Sequence, residues 1–330
     1  MASKIVYETR LLTEDYYRIF AGVYSDFRIA AIKDYKFELE PLSYDDFIIS
    51  VQKGLIKCII LLENRIPTAF LAYTTVISEA IELNVIHCLG DEDLLEKRKL
   101  LMDKFMEDTQ EERLNQIVCY PMIGPQGDFV SDISHYGFKF VGLAVLRFIF
   151  NNPSCEGVFN SAILDKIESG YAITSWDDDY LEKSIEIVHQ AFKDTSDALF
   201  DPRFKSLEGT RDILTKIVNG TYGEFLPDIV SVLTYKGEPV GFCFVNITSG
   251  KIANVPIFAI TPEHQGKGLS KHMLKHSLAT LIEWNRTGKR HFTEINTTTE
   301  TDNYQALKMY RHVGFKEDYC YPQAYLPIVG

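Results

Sequence analysis

Residues Ile257–Leu274, IFAITPEHQGKGLSKHML, decide how the rest of the 330-residue chain is read. The apolar run Ile257-Phe258-Ala259-Ile260 has the length of a strand. It stops at Thr261-Pro262, because proline has no N–H to give a sheet ladder. Gly266 and Gly268 follow, flanking Lys267. Beyond them Leu269, Met273, Leu274, Leu278, Leu281 and Ile282 recur at the spacing of one helical face. The stretch reads as strand, glycine loop and helix N-terminus.

That order has a physical use. The first turn of a helix carries N–H groups without intrahelical partners, and the macrodipole adds positive charge there. Glycines, lacking Cβ, let an anion approach the backbone closely. Lys267 adds a formal charge at the same place. The amides of Gln265 to Ser270 are therefore candidates for holding a pyrophosphate, although a lone G-x-G also occurs in ordinary strand-to-helix turns.

The residues Ile260, Pro262, Glu263, Gln265, Gly266, Lys267, Gly268 and Leu269, I-x-P-E-x-Q-G-K-G-L, resemble the acetyl-CoA loop of the GNAT acyltransferase superfamily. That loop is Q/R-x-x-G-x-G/A, or R/Q-G-x-G, after a strand. Farther on, Asn303-Tyr304-Gln305-Ala306-Leu307-Lys308-Met309-Tyr310-Arg311-His312-Val313-Gly314-Phe315 resembles the family's second motif, N-x-x-A-x-x-x-Y-x-x-x-G-F. Two motifs in the family's order are more specific than either alone. A dinucleotide fold fits less well, lacking the G-x-G-x-x-G spacing and a downstream ribose-binding acid. The resemblance implies a mixed α/β sheet flanked by helices, with acetyl-CoA as acyl donor.

Composition bounds the alternatives. Hydrophobic residues make up 46% and charged residues 24%, as in soluble globular proteins. No apolar run is long enough to cross a bilayer, and MASKIVYETR lacks the apolar core of a signal peptide. The six cysteines show no C-x-x-C pair, so they read as small buried residues in a reducing cytosol, with neither a metal site nor disulfides. A net charge of −12 argues against a nucleic-acid surface and is compatible with a cationic amine.

The chain also repeats itself. Tyr7, Asp15 and Tyr16 match Tyr171, Asp179 and Tyr180 at an offset of 164. Phe27 matches Phe192, and Gly54 matches Gly220. The hairpin LLENRIPTAFLAY matches VLTYKGEPVGFCF, with Pro67 opposite Pro239. Finally His135-Tyr136-Gly137-Phe138-Lys139 matches His312-Val313-Gly314-Phe315-Lys316 at 177. Two tandem GNAT-like domains are expected, 1–155 and 156–330, joined near 151–165, where Asn151, Asn152, Pro153 and Gly157 break the pattern.

Within the second copy, Tyr171–Trp176 reads as a strand, with Asp177–Asp179 offering N-cap oxygens to a helix bearing Ile185, Val188 and Phe192. Thr210–Val218 reads as another helix. Ile229–Leu233 and Val240–Asn246 read as a hairpin around Tyr235-Lys236-Gly237-Glu238. Ile252–Ile260 is a strand interrupted by Pro256, where a bulge or splaying is expected. Family members have such a gap at this point, for the pantetheine arm. The first copy has Leu89-Gly90-Asp91-Glu92-Asp93 in place of the glycine loop, and three carboxylates there would repel a pyrophosphate. Lys97, Arg98 and Lys99 read as a solvated helix face. Asp128 stands near the Asn303 position and Ile133 at the Tyr310 position, so this copy reads as a degenerate half that shapes the acceptor pocket.

Acyl transfer to an amine requires a held donor, a polarised carbonyl, a deprotonated amine and a protonated leaving thiolate. By resemblance, backbone groups of Phe258, Ala259 and Ile260 pair with the donor's amides, while Gln265, Gly266, Lys267, Gly268, Leu269 and Ser270 hold its phosphates. Asn303 is a cofactor contact in the family and equally an N-cap, and both roles can hold. Tyr310 stands where the family has its general acid, and a phenol is protonated at neutral pH; a buried aromatic is the plain alternative. The strand ANVPIFAI has no glutamate for a base. Glu294 is the nearest carboxylate on the next strand, but it could equally be a surface residue, or a water chain could serve; His291 is near in sequence and His264 reads as exposed.

The expectation is thus an N-acetyltransferase with one working site in the second copy. Its acceptor is a small-molecule primary amine, with direct transfer in a ternary complex. A protein or peptide N-acetyltransferase and a non-catalytic acyl-CoA-binding module are the alternatives. Neither a nucleic-acid nor a membrane partner is expected, the compartment is the cytoplasm, and the chain is a monomer or homodimer.

Overall fold

The computed structural model describes residues 5–33, 41–76, 80–110, 116–119, 126–151, 154–164 and 167–327. Asn152 and Pro153 of the expected junction, and the side chain of Asp128, lie outside the described residues. Glycines aligned by the repeat share a backbone form: φ is 71° at Gly54 and 77° at Gly220, 85° at Gly137 and 111° at Gly314. These are left-handed values that glycine adopts without the Cβ penalty. The hairpins agree as well, turning through Asn64-Arg65 and Lys236-Gly237, all with positive φ, as a primed two-residue turn requires.

The first copy runs β1 (Tyr7–Leu11), α1 (Glu14–Lys33), α2 (Tyr44–Gln52), β2 (Lys57–Glu63), β3 (Ile66–Thr74), β4 (Ile81–Cys88), α3 (Leu94–Thr109), β5 (Gln116–Cys119), α4 (Gln126–Ser134) and β6 (Lys139–Ile149). After α5 (Ser154–Leu164) the second begins with β7 (Tyr171–Thr174), α6 (Leu181–Phe192), α7 (Asp197–Phe200), α8 (Leu207–Val218), β8 (Glu224–Phe225), β9 (Ser231–Tyr235) and β10 (Glu238–Cys243). It ends with β11 (Asn246–Ser249), β12 (Ile252–Asn254), β13 (Phe258–Ile260), α9 (Leu269–Thr287), β14 (Glu294–Glu300), α10 (Tyr304–Val313) and β15 (Lys316–Pro327).

Two compact units form, residues 1–141 with 321–330, and residues 142–320. They differ from the expected halves 1–155 and 156–330 because the copies trade their last strands. In the first unit β1, β2, β3, β4 and β5 lie in that order, and Gln116–Cys119 then pairs antiparallel with Ala324–Pro327 of β15. In the second unit β14 pairs antiparallel with Leu143–Ile149 of β6. A strand's two-residue period states that it is a strand and which face is buried, not which sheet receives it.

In both units helices cover the two faces of the sheet. Along β2, Cys58, Ile60 and Leu62 pack with α1 and α2, whereas Ile59 and Leu61 pack with α3. Along β10 and just beyond, Phe242 and Phe244 pack with α6 and α8, whereas Cys243 and Val245 pack with α9. Lys97 corrects the solvated-face reading: it is 4% exposed and its Nζ lies 3.4 Å from Glu63. A buried ammonium needs such a partner. Arg98 reaches Asp132, and only Lys99 of the three is well exposed, beside Asp103. Cys320 is exposed, unlike Cys58, Cys119, Cys155 and Cys243.

Candidate active site

The site of the second unit begins where its sheets part. β12 pairs parallel with β14 through Asn254 opposite Asn296, and the Val255 amide still donates to Asn296 O at 2.9 Å. Two residues later Ile257 O accepts from the Phe244 amide at 2.9 Å, and β13 continues along β10. Pro256 stands at the crossing. The expected splaying is therefore complete: Ile252–Ile260 is two short strands in two sheets. In the first unit the equivalent β4 runs unbroken from Ile81 to Cys88.

Antiparallel pairing decides which backbone groups of β13 are spent. Phe244 and Ile257 form one hydrogen-bonded pair, and Thr261 N donates to Val240 O at the other end. Alternation then turns the polar groups of Ala259 toward Phe242 of β10 and those of Phe258 and Ile260 outward. Ile260 O accepts from Gln265 Nε2 at 2.7 Å, which ties the loop to the strand's end. Of the three residues expected to pair with a donor, Phe258 and the amide of Ile260 thus offer an open edge and Ala259 does not. Gly241 permits the close approach: a Cβ there would lie 2.9 Å from Ile260 Cγ1.

The loop has the expected form. Gly266 and Gly268 have φ of 74° and 72°. Gly268 is the N-cap of α9; no side chain caps the helix and no acid lies in its first turn. Leu269 is buried and anchors the turn, leaving Gly266, Lys267 and Gly268 exposed and Ser270 half-buried. Lys267 Nζ donates to the Tyr171 hydroxyl at 2.9 Å, and this bond raises the ammonium's pKa. The same hydroxyl lies 2.6 Å from His264 Nδ1, so His264 is half-buried rather than fully exposed. These residues fit a phosphate-bearing acyl donor: uncapped amides and a lysine at one end, an open strand edge leading away.

Tyr310, on α10, is 4% exposed. Its hydroxyl lies 3.4 Å from Thr297 Oγ1, which also lies 3.2 Å from Val255 O. The phenol is thereby held at the apex of the splay. Burial above all, with the Cys243 thiol nearby, raises its pKa well above the ordinary value, while Thr297 opposes this. It remains a neutral donor at any physiological pH. Asn303 caps α10, its Oδ1 accepting from the Ala306 amide at 3.1 Å. Glu294 accepts from Arg147 at 2.5 Å. It stands three residues before Thr297, about 10 Å along the strand, so the structure does not bring it to Tyr310.

Two features escaped the sequence reading. Thr297 becomes visible only once Val255 and Tyr310 are placed beside it. At the far end of β14, Glu300 accepts from Ser196, and Asp197 follows on α7. Desolvation first and the Glu300 carboxylate second raise the pKa of Asp197. No run of sequence joins these positions.

The acetyltransferase (GNAT) domain model matches residues 227–317, from just before β9 to the first residues of β15. No curated protein matches the sequence significantly. Among solved structures, a GCN5-related N-acetyltransferase from Sphaerobacter thermophilus superposes with a TM-score of 0.66 at 13% identity, covering 98% of this chain and 96% of that one. A tandem GNAT protein from the clavulanic acid biosynthesis pathway gives 0.61 at 14%, covering 98% and 99%. A GCN5-related glucosamine N-acetyltransferase region of a fungal multi-domain β-N-acetylglucosaminidase gives 0.64 at 12%, covering 98% of this chain and 38% of that one. Residues 227–317 thus match the GNAT domain model, and along nearly its whole length the chain has a fold similar to that of a tandem GNAT protein.

Proposed function

We propose that the chain is an acetyl-CoA-dependent N-acetyltransferase acting on a primary amine of a small molecule. The observation that carries this reading is the splay between β13 and β14. It has a neutral, buried Tyr310 at its apex and the uncapped start of α9 beyond the strand's end. The donor supplies an activated acyl group on sulfur. Gly266 to Ser270 and Lys267 would hold its phosphates, the outward groups of Phe258 and the N–H of Ile260 its amide chain, and the Tyr310 hydroxyl would protonate the departing thiolate. Glu300 and Asp197, near the α6–α8 side of β14, favour an acceptor that arrives as an ammonium.

The same neighbourhood supports a second reading, a binding module without catalysis, because Glu294 is engaged by Arg147 and leaves the base unassigned. Thiol release from acetyl-CoA with a panel of primary amines separates the two. Acceptor-dependent release supports the transferase. Coenzyme A binding with no release across the panel supports the module, and failure to bind coenzyme A sinks both.

A further inference from the structure

One phenol fastens two parts of the glycine loop. The Tyr171 hydroxyl, at the start of β7, accepts from Lys267 Nζ at 2.9 Å and lies 2.6 Å from His264 Nδ1. His264 ends the short turn Pro262–His264 that leads into the loop, and Lys267 stands between the two glycines. An ammonium has donors only, so Lys267 takes a lone pair of the oxygen and the phenol's single proton turns to His264. In the neutral imidazole Nδ1 then accepts and Nε2 carries the proton.

The phenol is itself held in place. Tyr171 pairs with Tyr235 of β9, and their ring centroids lie 4.7 Å apart. The His264 ring lies 5.5 Å from Tyr171 and 5.1 Å from Tyr235. Gly170 makes room for this stack, with φ of 93° and only 3.0 Å between an added Cβ and the Tyr235 ring. Lys267, by contrast, is an exposed ammonium on a flexible four-carbon stem. Such a side chain gives up rotamer freedom when an anion fixes it. Tyr171 imposes one position beforehand and leaves two N–H donors of the ammonium for the anion.

We infer that Tyr171 is a positioning residue for the acyl donor. It holds the Lys267 ammonium at the loop for a diphosphate, and so sets the preference for donors that carry one over thioesters that end at pantetheine. The inference rests on the proposed function and adds to it a residue 96 positions before Lys267, on another strand. A purely structural anchor, as Tyr7 is beside Asp93 at the start of α3, would act on every donor alike and whatever stands at position 267.

The test is a double-substitution cycle in the full chain, with coenzyme A binding read by calorimetry for Tyr171→Phe, Lys267→Met and the pair. Phenylalanine keeps the ring against Tyr235 and removes the hydroxyl alone. The expected result is a loss of affinity of about fivefold in Tyr171→Phe and no further loss when it is added to Lys267→Met. Thiol release supplies a second readout. Tyr171→Phe should raise KM for acetyl-CoA at unchanged kcat and leave kcat/KM for S-acetylpantetheine, which has no phosphate, as it was. Unchanged coenzyme A affinity, an equal loss in the Lys267→Met background, or an equal loss for both donors would overturn the inference. Binding of coenzyme A without acceptor-dependent release from any amine would remove the transferase reading alone, and the binding cycle would still judge Tyr171.

Discussion

The Tyr7 hydroxyl donates to Asp93 Oδ2 at 2.9 Å, at the start of α3. In the second copy Tyr171 holds the same place at the start of α9, but its hydroxyl accepts from Lys267, also at 2.9 Å. One scaffold thus carries opposite charge at two equivalent helix starts. Asp93 is the N-cap of α3 with φ of 54°, and Glu96 follows in the first turn. The positive end of that dipole is already compensated within the chain. At α9 nothing acidic occupies it, so an external anion can.

This contrast predicts the effect of adding an acid. A Cβ at Gly266 meets no atom within 4 Å, so size is no obstacle there. Its φ of 74° imposes about 1–2 kcal/mol of strain on any other residue, lowering the melting temperature of Gly266→Ala and Gly266→Asp alike. Only the aspartate repels phosphate. A unit charge at about 4 Å is worth about 4 kcal/mol near a protein surface, less after screening. Coenzyme A affinity should fall at least about tenfold further in Gly266→Asp than in Gly266→Ala by calorimetry. Equal affinities would remove the loop from phosphate binding.

Tyr310→Phe separates chemistry from holding. The phenyl ring keeps the packing against Phe315, whose centroid lies 5.3 Å away, and loses only the hydroxyl near Thr297. Turnover should fall by about an order of magnitude or more with acetyl-CoA affinity near that of the unsubstituted protein. The raised pKa adds a second expectation. No alkaline limb of the rate profile below about pH 10 should be lost in the variant, because the phenol does not titrate there. Unchanged turnover would exclude Tyr310 as the acid.

Much of this architecture is legible in the chain. The hairpin through Lys236-Gly237, the helix after Gly268 and the break at Pro256 follow from local rules, since left-handed turns select glycine and a central strand rejects proline. What escapes is register between distant strands. Lys97 is buried because Glu63 of β2 lies beside it, 34 residues earlier. The exchange of β6 and β15 is a fact of pairing, which hydropathy does not encode.

His87 gives the pH dependence of the first unit. It packs 5.7 Å from the Phe27 ring, with Nε2 2.9 Å from Asp26. Burial lowers its pKa despite that carboxylate. A folded pKa below the unfolded value means that the unfolded chain takes up the proton first. Stability is then complete above about pH 6.5 and is lost as pH falls through the lowered folded value. His87→Phe should show a smaller drop in melting temperature between about pH 6.5 and 5 than the unsubstituted chain. Parallel curves would mean that the ring charges freely in place.

Gly241→Ala tests whether the open edge of β13 depends on its contact with β10. The added methyl would meet Ile260 Cγ1 at 2.9 Å and Ala259 O at 3.0 Å. Isoleucine can rotate, but the carbonyl belongs to the strand and can yield only by moving β13 outward. Overpacking of this kind costs about 1–3 kcal/mol. The same shift disturbs Ile260, whose carbonyl receives Gln265 and whose amide faces the splay. Melting temperature and coenzyme A affinity should therefore fall together. A loss of stability with full affinity would show that the cofactor grips the loop alone and that the edge of β13 holds nothing.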